Sequence, residues 1–414
     1  MNLALINIKQ LITVSAGGAR TKTGSSMREL AIVEDACVMI EDSRIRWVGT
    51  MKDMTMSSLK EATVLDCAGK VVMPGFVDSH THALFAGSRE EEFALRTSGL
   101  SYEEIAARGG GILSTVKYVH TTSKKELKKH ACKHLDAMLQ HGTTTVEIKS
   151  GYGLDMDNEV KMLEAINELA GEEVISIVPT FLGAHAVPQE YAERKKEYVE
   201  LICDKMIPYV AQHHLAVFCD VFCERGFFDV TDAARILSAA RERGMALKIH
   251  AEELHPLGGA ELAGKMGTVS ADHLEHITEA GIHALRDGKV VATLLPGVSF
   301  FLNHPYAPAR ALIDAGVAVS LATDFNPGSC MSYSMPMMMT IACTQMKMTP
   351  EEAITASTIN AAAALNLSHE IGSIEQGKKA DVIVLDLSNY KFLPYHFGEN
   401  HIEKVIKNGV ILEF

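Results

Sequence analysis

The chain of 414 residues has no surplus of basic side chains. Lys and Arg total 39 against 52 Asp and Glu, a net charge of −13 with His neutral. A protein that coats nucleic acid needs a basic face, so the balance argues against that class and no nucleic-acid partner is expected. The nearest basic cluster, Lys125 to Lys129, reads as a solvated helix face. No CxxC pair occurs among the eight cysteines, at 37, 67, 132, 203, 219, 223, 330 and 343. That pattern excludes a disulfide framework and fits a reducing, intracellular compartment; Cys219 and Cys223 are expected as buried strand residues. The opening MNLALINIKQ shows no basic segment followed by an apolar one and a small-residue cleavage site, so a cytoplasmic protein is expected. Two long uncharged stretches, Val290 to Ala309 and Phe325 to Met346, are broken by Pro, Asn and Ser and read as core plus loops rather than membrane spans, so no membrane partner is expected. What remains is 47% hydrophobic and 22% charged, with ordinary glycine and proline: globular composition, long enough for a large core.

Organisation follows from the runs. The first seventy residues contain short β-rich segments, LALINI, ACVMIED, RIRWVG and ATVLDC, and the last forty contain ADVIVLDL and EKVIKNGVILEF. Asn408-Gly409 between apolar runs is a hairpin signal, because both residues tolerate positive φ. Neither end has enough strands to bury a face alone, so the two are expected to meet in one small β-sandwich domain, residues 1–72 plus 372–414. Between them, eight apolar runs alternate with amphipathic helical stretches: VVMPGFVDSH, TTTVEIKS, EVISIVPTFL, AVFCDVF, MALKIH, TVSADH, VVATLL and VAVSLATD. Eight strand–helix units over residues 73–371 fit an α/β fold, a (β/α)8 TIM-like barrel. The rival, a doubly wound open sheet, would show a glycine-rich phosphate loop after its first strand, where this chain has DSHTHALFAG.

Several runs end in chemistry. The first closes with Asp78-Ser79-His80-Thr81-His82, the third with His185, the fifth with His250, the sixth with Asp272-His273 and the eighth with Asp324. In a barrel the C-terminal strand ends ring one mouth, so these groups are expected to converge. His80 and His82, two apart on a strand, face the same side and can share a metal ion. Imidazole and carboxylate ligands suit zinc, iron or manganese.

The segment PGFVDSHTHALFAG (Pro74 to Gly87) resembles the first-strand signature of the amidohydrolase superfamily, and the likeness extends over essentially the whole chain. SHTHALFAGSREEEF, RGGGI, EIKSGYGLD, PTFLGAHAVP, HAEELHPLGGAELA, SADHLEH and ATDFNPGS carry it. The resemblance implies one metal ion, zinc or iron, on His80, His82, His250 and Asp324, because the fourth run lacks the lysine that binuclear relatives carboxylate. It implies hydrolysis of the lactam of 4-imidazolone-5-propanoate, with His273 on the reacting oxygen, Asp324 taking the water proton and Glu253 serving the leaving nitrogen. Arg89, Tyr102, Tyr152, His185, Glu253, Asn326, Gly328 and Ser329 would contact the substrate, and a homodimer is the implied assembly. On pattern alone, a surface ion pair with Glu90 to Glu92 is the favoured reading of Arg89, Tyr152 reads also as a packed loop aromatic, and His185 reads equally as a core histidine. Another cyclic amidase, a nucleobase deaminase or a non-catalytic scaffold are the alternatives. Gly109 to Gly111 reads as a loop or an anion nest, Met331 to Met339 as core, and His141, His213, His214 and His304 lie outside the metal set.

Overall fold

The computed structural model describes residues 2–54, 62–100, 104 and 110–414. Among them, two eight-stranded sheets organise the chain. The first is built from both ends. Strands β1 (Leu3–Ile12), β2 (Ile32–Glu41), β3 (Arg44–Thr50), β4 (Thr63–Asp66) and β5 (Val71–Pro74) come from the N-terminal side. They are joined, after the second sheet has been made, by three strands that the eight described next separate from them in the chain.

The second sheet holds β6 (Phe76–Asp78), β7 (Thr143–Lys149), β8 (Ser176–Ala184), β9 (Phe218–Cys223), β10 (Ala246–Ala251), β11 (Ser270–His273), β12 (Val291–Leu294) and β13 (Val319–Leu321). Each falls on one of the eight expected runs, with β8, β9 and β10 extending one or two residues beyond theirs, and every neighbouring pair is parallel in chain order. Backbone bonds between the segments following β6 and β13 close the cylinder: Asp324 N–H to the His80 carbonyl and His82 N–H to the Phe325 carbonyl, both 3.0 Å. Asp78 reinforces the seam by accepting from the Thr323 backbone at 3.0 Å and its hydroxyl at 2.6 Å. This is the (β/α)8 barrel that the alternation of runs implies.

The last strands, β14 (Val382–Leu385), β15 (Ile402–Lys407) and β16 (Val410–Leu412), complete the first sheet in the order β16-β15-β14-β5-β1-β2-β3, with β4 on β1. Asn408 and Gly409 turn β15 into β16 with φ of 49° and 76°, the left-handed pair a two-residue hairpin needs. Leu5, Val38 and Ile45 of β1, β2 and β3 share one buried cluster with Val382 and Ile406 of β14 and β15, although β5 lies between the two groups of strands, so the sheet folds over its own apolar face. The first uncharged stretch becomes a strand, the short helix Pro296–Leu302 and a loop, the second a loop and the buried helix Met335–Gln345, and no described helix is long and apolar enough to cross a membrane.

The barrel strands face two ways. Val146 and Ile148, Cys219 and Val221, and Leu247 and Ile249 pack outward in the large apolar cluster. The intervening positions, Glu147 and Lys149, Asp220, Lys248 and His250, are fully or almost fully buried without joining it. Strand periodicity of two therefore separates an apolar jacket from a polar interior. The expectation of near-continuous apolar strands holds for the jacket alone.

The first run is split between the sheets. β5 crosses the expected boundary at 72 and pairs with β14, then Gly75 breaks the run before β6 enters the barrel. The backbone of Gly75 lies so close to the Thr144 side chain that a Cβ has no room. Gly75→Val should destabilise the protein by about 1–3 kcal/mol through overpacking, measurable as a lower denaturation midpoint with an unchanged slope.

Candidate metal centre and active site

His80 and His82 leave the end of β6, His250 lies near the end of β10, His273 ends β11, and Asp324 follows β13. Among the described residues, two metal-capable groupings arise and share His80: His80, His82 and His250, and His80, His273 and Asp324. Within each, the potential ligand atoms lie within 4.8 Å of one another. His80 Nε2 and His82 Nε2 are each 3.5 Å from Asp324 Oδ1. His273 thus stands at ligand spacing together with Asp324, beside the expected set.

The donor set fits a cation. Among the described residues, His80 Nε2, His250 Nε2 and Asp324 Oδ1 are buried with no hydrogen-bond partner, and His82 turns its Nε2 toward the same Asp324 oxygen. An unsatisfied buried polar atom costs about 1–3 kcal/mol, and several at one point ask for a group that bonds them together. Burial drives His80, His82 and His250 below the usual imidazole range, with neighbouring Lys149 and histidine charges adding to it. The neutral imidazole is the ligating form. Strain accompanies the arrangement: Asp324 and His273 sit at φ of 48° and 80°, a region L-residues occupy only where the surroundings hold them.

One cavity of about 420 Å³ opens onto His82, His250, His273 and Asp324 and is lined also by Arg89, Tyr152, His185, Glu253, Asn326, Gly328 and Ser329. His185 stacks on His82 with ring centroids 4.9 Å apart, and its Nδ1–H donates to the Gly151 carbonyl, 2.9 Å away. Tyr152 is buried with its ring 5.7 Å from His82. Glu253 Oε2 is 3.7 Å from His273 Nε2. Burial pushes the Glu253 carboxyl up to about 7, against the pull of His273. Burial alone would lower His273, but the carboxylates of Glu253, Glu275 and Asp324 outweigh it and raise it to about 10.

Arg89 combines both sequence readings. It lines the cavity with a side chain only 9% exposed, yet its Nε and Nη2 donate to Glu92 Oε2 at 2.9 and 2.7 Å. Its guanidinium lies over Gly328, which has no space for a Cβ beneath it. Asn326 spends its polar atoms on its own loop, donating to the Asp324 carbonyl and accepting from the backbones of Gly328 and Ser329. Tyr102 and Gly109 fall outside the described residues. His304, set aside by spacing, lines the outer cavity with Arg96, whose guanidinium covers the Phe301 ring at 4.6 Å.

Sequence reasoning placed Asp272 at the end of a run without giving it a role, and passed over the other charged residues inside the barrel. Asp272 Oδ2 meets His80 Nδ1 at 2.6 Å, and Asp220 Oδ2 lies 3.0 Å from His250 Nδ1. Lys149, Lys248 and Glu147 surround these two carboxylates. The available signal was a charge inside an otherwise apolar run. Glu159 escaped for another reason, since it lies on a helix. It is buried and accepts from the backbone N–H groups of Gly151, Gly153 and Leu154, so it holds the loop that carries Tyr152. Glu252 does the same for Gly258, Gly259 and Ala260, next to Glu253.

The amidohydrolase family model matches residues 71–412, and the chain belongs to that family. Curated relatives resolve the branch. The chain is 48% identical to an imidazolonepropionase of Alkaliphilus oremlandii over 98% of this chain and 96% of that one. It is 47% identical to those of Clostridium tetani, over 99% and 98%, and Porphyromonas gingivalis, over 100% and 97%. These relatives put it among the imidazolonepropionases. Solved structures share the fold at low identity. A 5-methylcytosine deaminase from Klebsiella pneumoniae superposes with a TM-score of 0.75 at 16% identity, over 99% and 97% of the two chains. An adenosine deaminase from Xanthomonas campestris with bound zinc gives 0.73 at 18%, over 99% and 92%.

Glu159→Gln places an amide donor against donating backbone groups. It should cost about 1–3 kcal/mol of stability and lower kcat/KM through a displaced Tyr152 loop. Chemical denaturation and steady-state kinetics, with metal content measured alongside, check this.

Proposed function

We propose that the chain hydrolyses the ring C–N bond of 4-imidazolone-5-propanoate to give N-formimidoyl-L-glutamate, using one metal ion, zinc or iron. The observation that carries this reading is the meeting, in one cavity, of unpartnered buried ligand atoms with a guanidinium suited to an acidic substrate. Full-length relatives named imidazolonepropionase support the substrate.

The substrate is a lactam that carries a propionate, and such an amide hydrolyses slowly in neutral water. A cation held by His80, His82, His250 and Asp324 would supply Lewis-acid polarisation of the ring carbonyl and make water acidic near neutral pH. The chain's own groups do the remaining work. Asp324 accepts the proton of the attacking water. His273 donates to the oxygen on which charge develops. Glu253, three residues beyond His250 in sequence and beside His273, passes a proton to the departing ring nitrogen. A carboxyl raised to about 7 by burial carries a proton readily at that pH. The carbonyl carbon gains the water oxygen, its bond to nitrogen breaks, and the products are a new carboxylate and a protonated nitrogen.

Arg89 meets the propionate from the cavity wall, sharing its fork with Glu92. Tyr152 and His185 form the aromatic side of the ring pocket, and Asn326, Gly328 and Ser329 shape the polar edge. Cytoplasmic location and homodimeric assembly belong to the same proposal. Eight free thiols suit a reducing compartment. Exposed Phe392, Tyr395 and Phe397, at 43%, 75% and 65%, offer apolar area for a second copy.

Turnover of the imidazolone against cytosine and guanine tests the reading. The imidazolone should be preferred by orders of magnitude, and preference for a base would overturn the substrate. A neutral base needs no cation where Arg89 stands. Arg89→Ala should therefore raise KM for the propionate more than it lowers kcat, with a loss in kcat/KM of about 2–5 kcal/mol. An unchanged specificity constant would remove Arg89 from the site.

A further inference from the structure

Beneath the histidines, the barrel encloses a cluster of charge that the proposed chemistry does not use. Glu147, Lys149, Asp220, Lys248 and Asp272 all have side chains with no solvent exposure. Lys149 Nζ lies 2.8 Å from both Glu147 Oε1 and Asp220 Oδ2, and 3.8 Å from Asp272 Oδ2. Lys248 Nζ lies 3.5 Å from Glu147 and 3.7 Å from Asp272, and donates to the Ser79 carbonyl at 2.8 Å. Thr180 and the Val221 backbone donate to Glu147 and Asp220. Two carboxylates of the cluster touch imidazoles: Asp272 at His80 Nδ1 and Asp220 beside His250 Nδ1.

Stability gives no reason for this arrangement, because exchanging a buried ion-pair cluster for well-packed apolar side chains is often neutral or favourable. Position gives one. Glu147 and Lys149 are two apart on β7, and Lys248 and His250 are two apart on β10, so all four point into the cylinder. Asp272 pairs in register with His250 across β10 and β11, which sets its carboxylate below His80. Three carboxylates against two ammonium groups leave one negative charge directly under the cation site.

We propose that this cluster, centred on Lys149, is the positioning device of the metal centre. Its ammonium groups hold the Asp220 and Asp272 carboxylates in fixed orientation, and these aim His250 and His80 at the cation. Residues that orient ligating histidines through their second ring nitrogen are worth ten- to a hundredfold in metal affinity. The inference rests on the metal-centre reading above, and not on the identity of the substrate.

The experiment compares wild type, Lys149→Met and Asp272→Asn, each stripped of metal. Zinc affinity is measured against a fluorescent chelator, and the visible spectrum is recorded after cobalt(II) loading. Both variants should bind zinc at least tenfold more weakly and show shifted cobalt bands. A merely structural role would lower the melting temperature of the metal-free protein and leave the cobalt spectrum unchanged. Wild-type zinc affinity within twofold in a folded Lys149→Met protein overturns the proposal. If Lys149→Met does not fold, the nearly isosteric Asp272→Asn decides by the same criterion. Failure of the wild type to take up zinc or cobalt would sink the metal centre itself, and this inference with it.

Discussion

The site depends on how the cylinder closes. The segments after β6 and β13 are joined by backbone hydrogen bonds, Asp324 N–H to the His80 carbonyl and His82 N–H to the Phe325 carbonyl. The residues that make the seam are themselves metal-ligand candidates. Closure and ligand placement are therefore one event: a barrel that failed to close would separate His80 from Asp324. Asp78, fully buried and bonded twice to Thr323, ties the same two segments one step deeper. The left-handed φ of Asp324 turns its carboxylate back toward the histidines, and the seam supplies the constraint that holds that conformation.

Holding so much polarity inside requires a strong jacket. Alternation along β7, β9 and β10 gives it, with Val, Ile, Leu and Cys packing against helices while the inward positions carry charge. Most (β/α)8 interiors are filled by branched apolar side chains; the central layer of this one is ionic. The loops at the mouth follow the same logic on a smaller scale. Glu159 and Glu252 each gather several backbone N–H groups, which fixes the loops that bear Tyr152 and Glu253 without covering the cavity. The cost of burying each carboxylate is offset by the donors it collects.

Much of this architecture was legible in the chain. Eight runs became eight strands because apolar content, length and alternation with helices are local properties. The Asn408-Gly409 hairpin was equally local, since positive φ is a property of those two residues. The split of the first run between two sheets was not. VVMP and FVD share one apolar character, and their separation lies in the distant strands they pair with, β1 and β14 for the one and β7 for the other. For the site, the runs ending in His80, His82, His250, His273 and Asp324 pointed to one rim. Arg89 was less readable: its nearness to three glutamates described an ion pair, and its place in a cavity required the loops to be folded.

By itself, the amino-acid sequence determined the strand–helix alternation, the residues at each strand end and the family to which they belong, because each rests on periodicity or contiguous motif. Tertiary structure alone decided which carboxylate meets which imidazole. His80 and Asp272 are 192 positions apart, and Asp220 reaches His250 only through the parallel register of β9 and β10. A slip of one residue would turn every such side chain to the other face. Register is set by the sum of packing and hydrogen bonding across the whole barrel, and no short segment contains it.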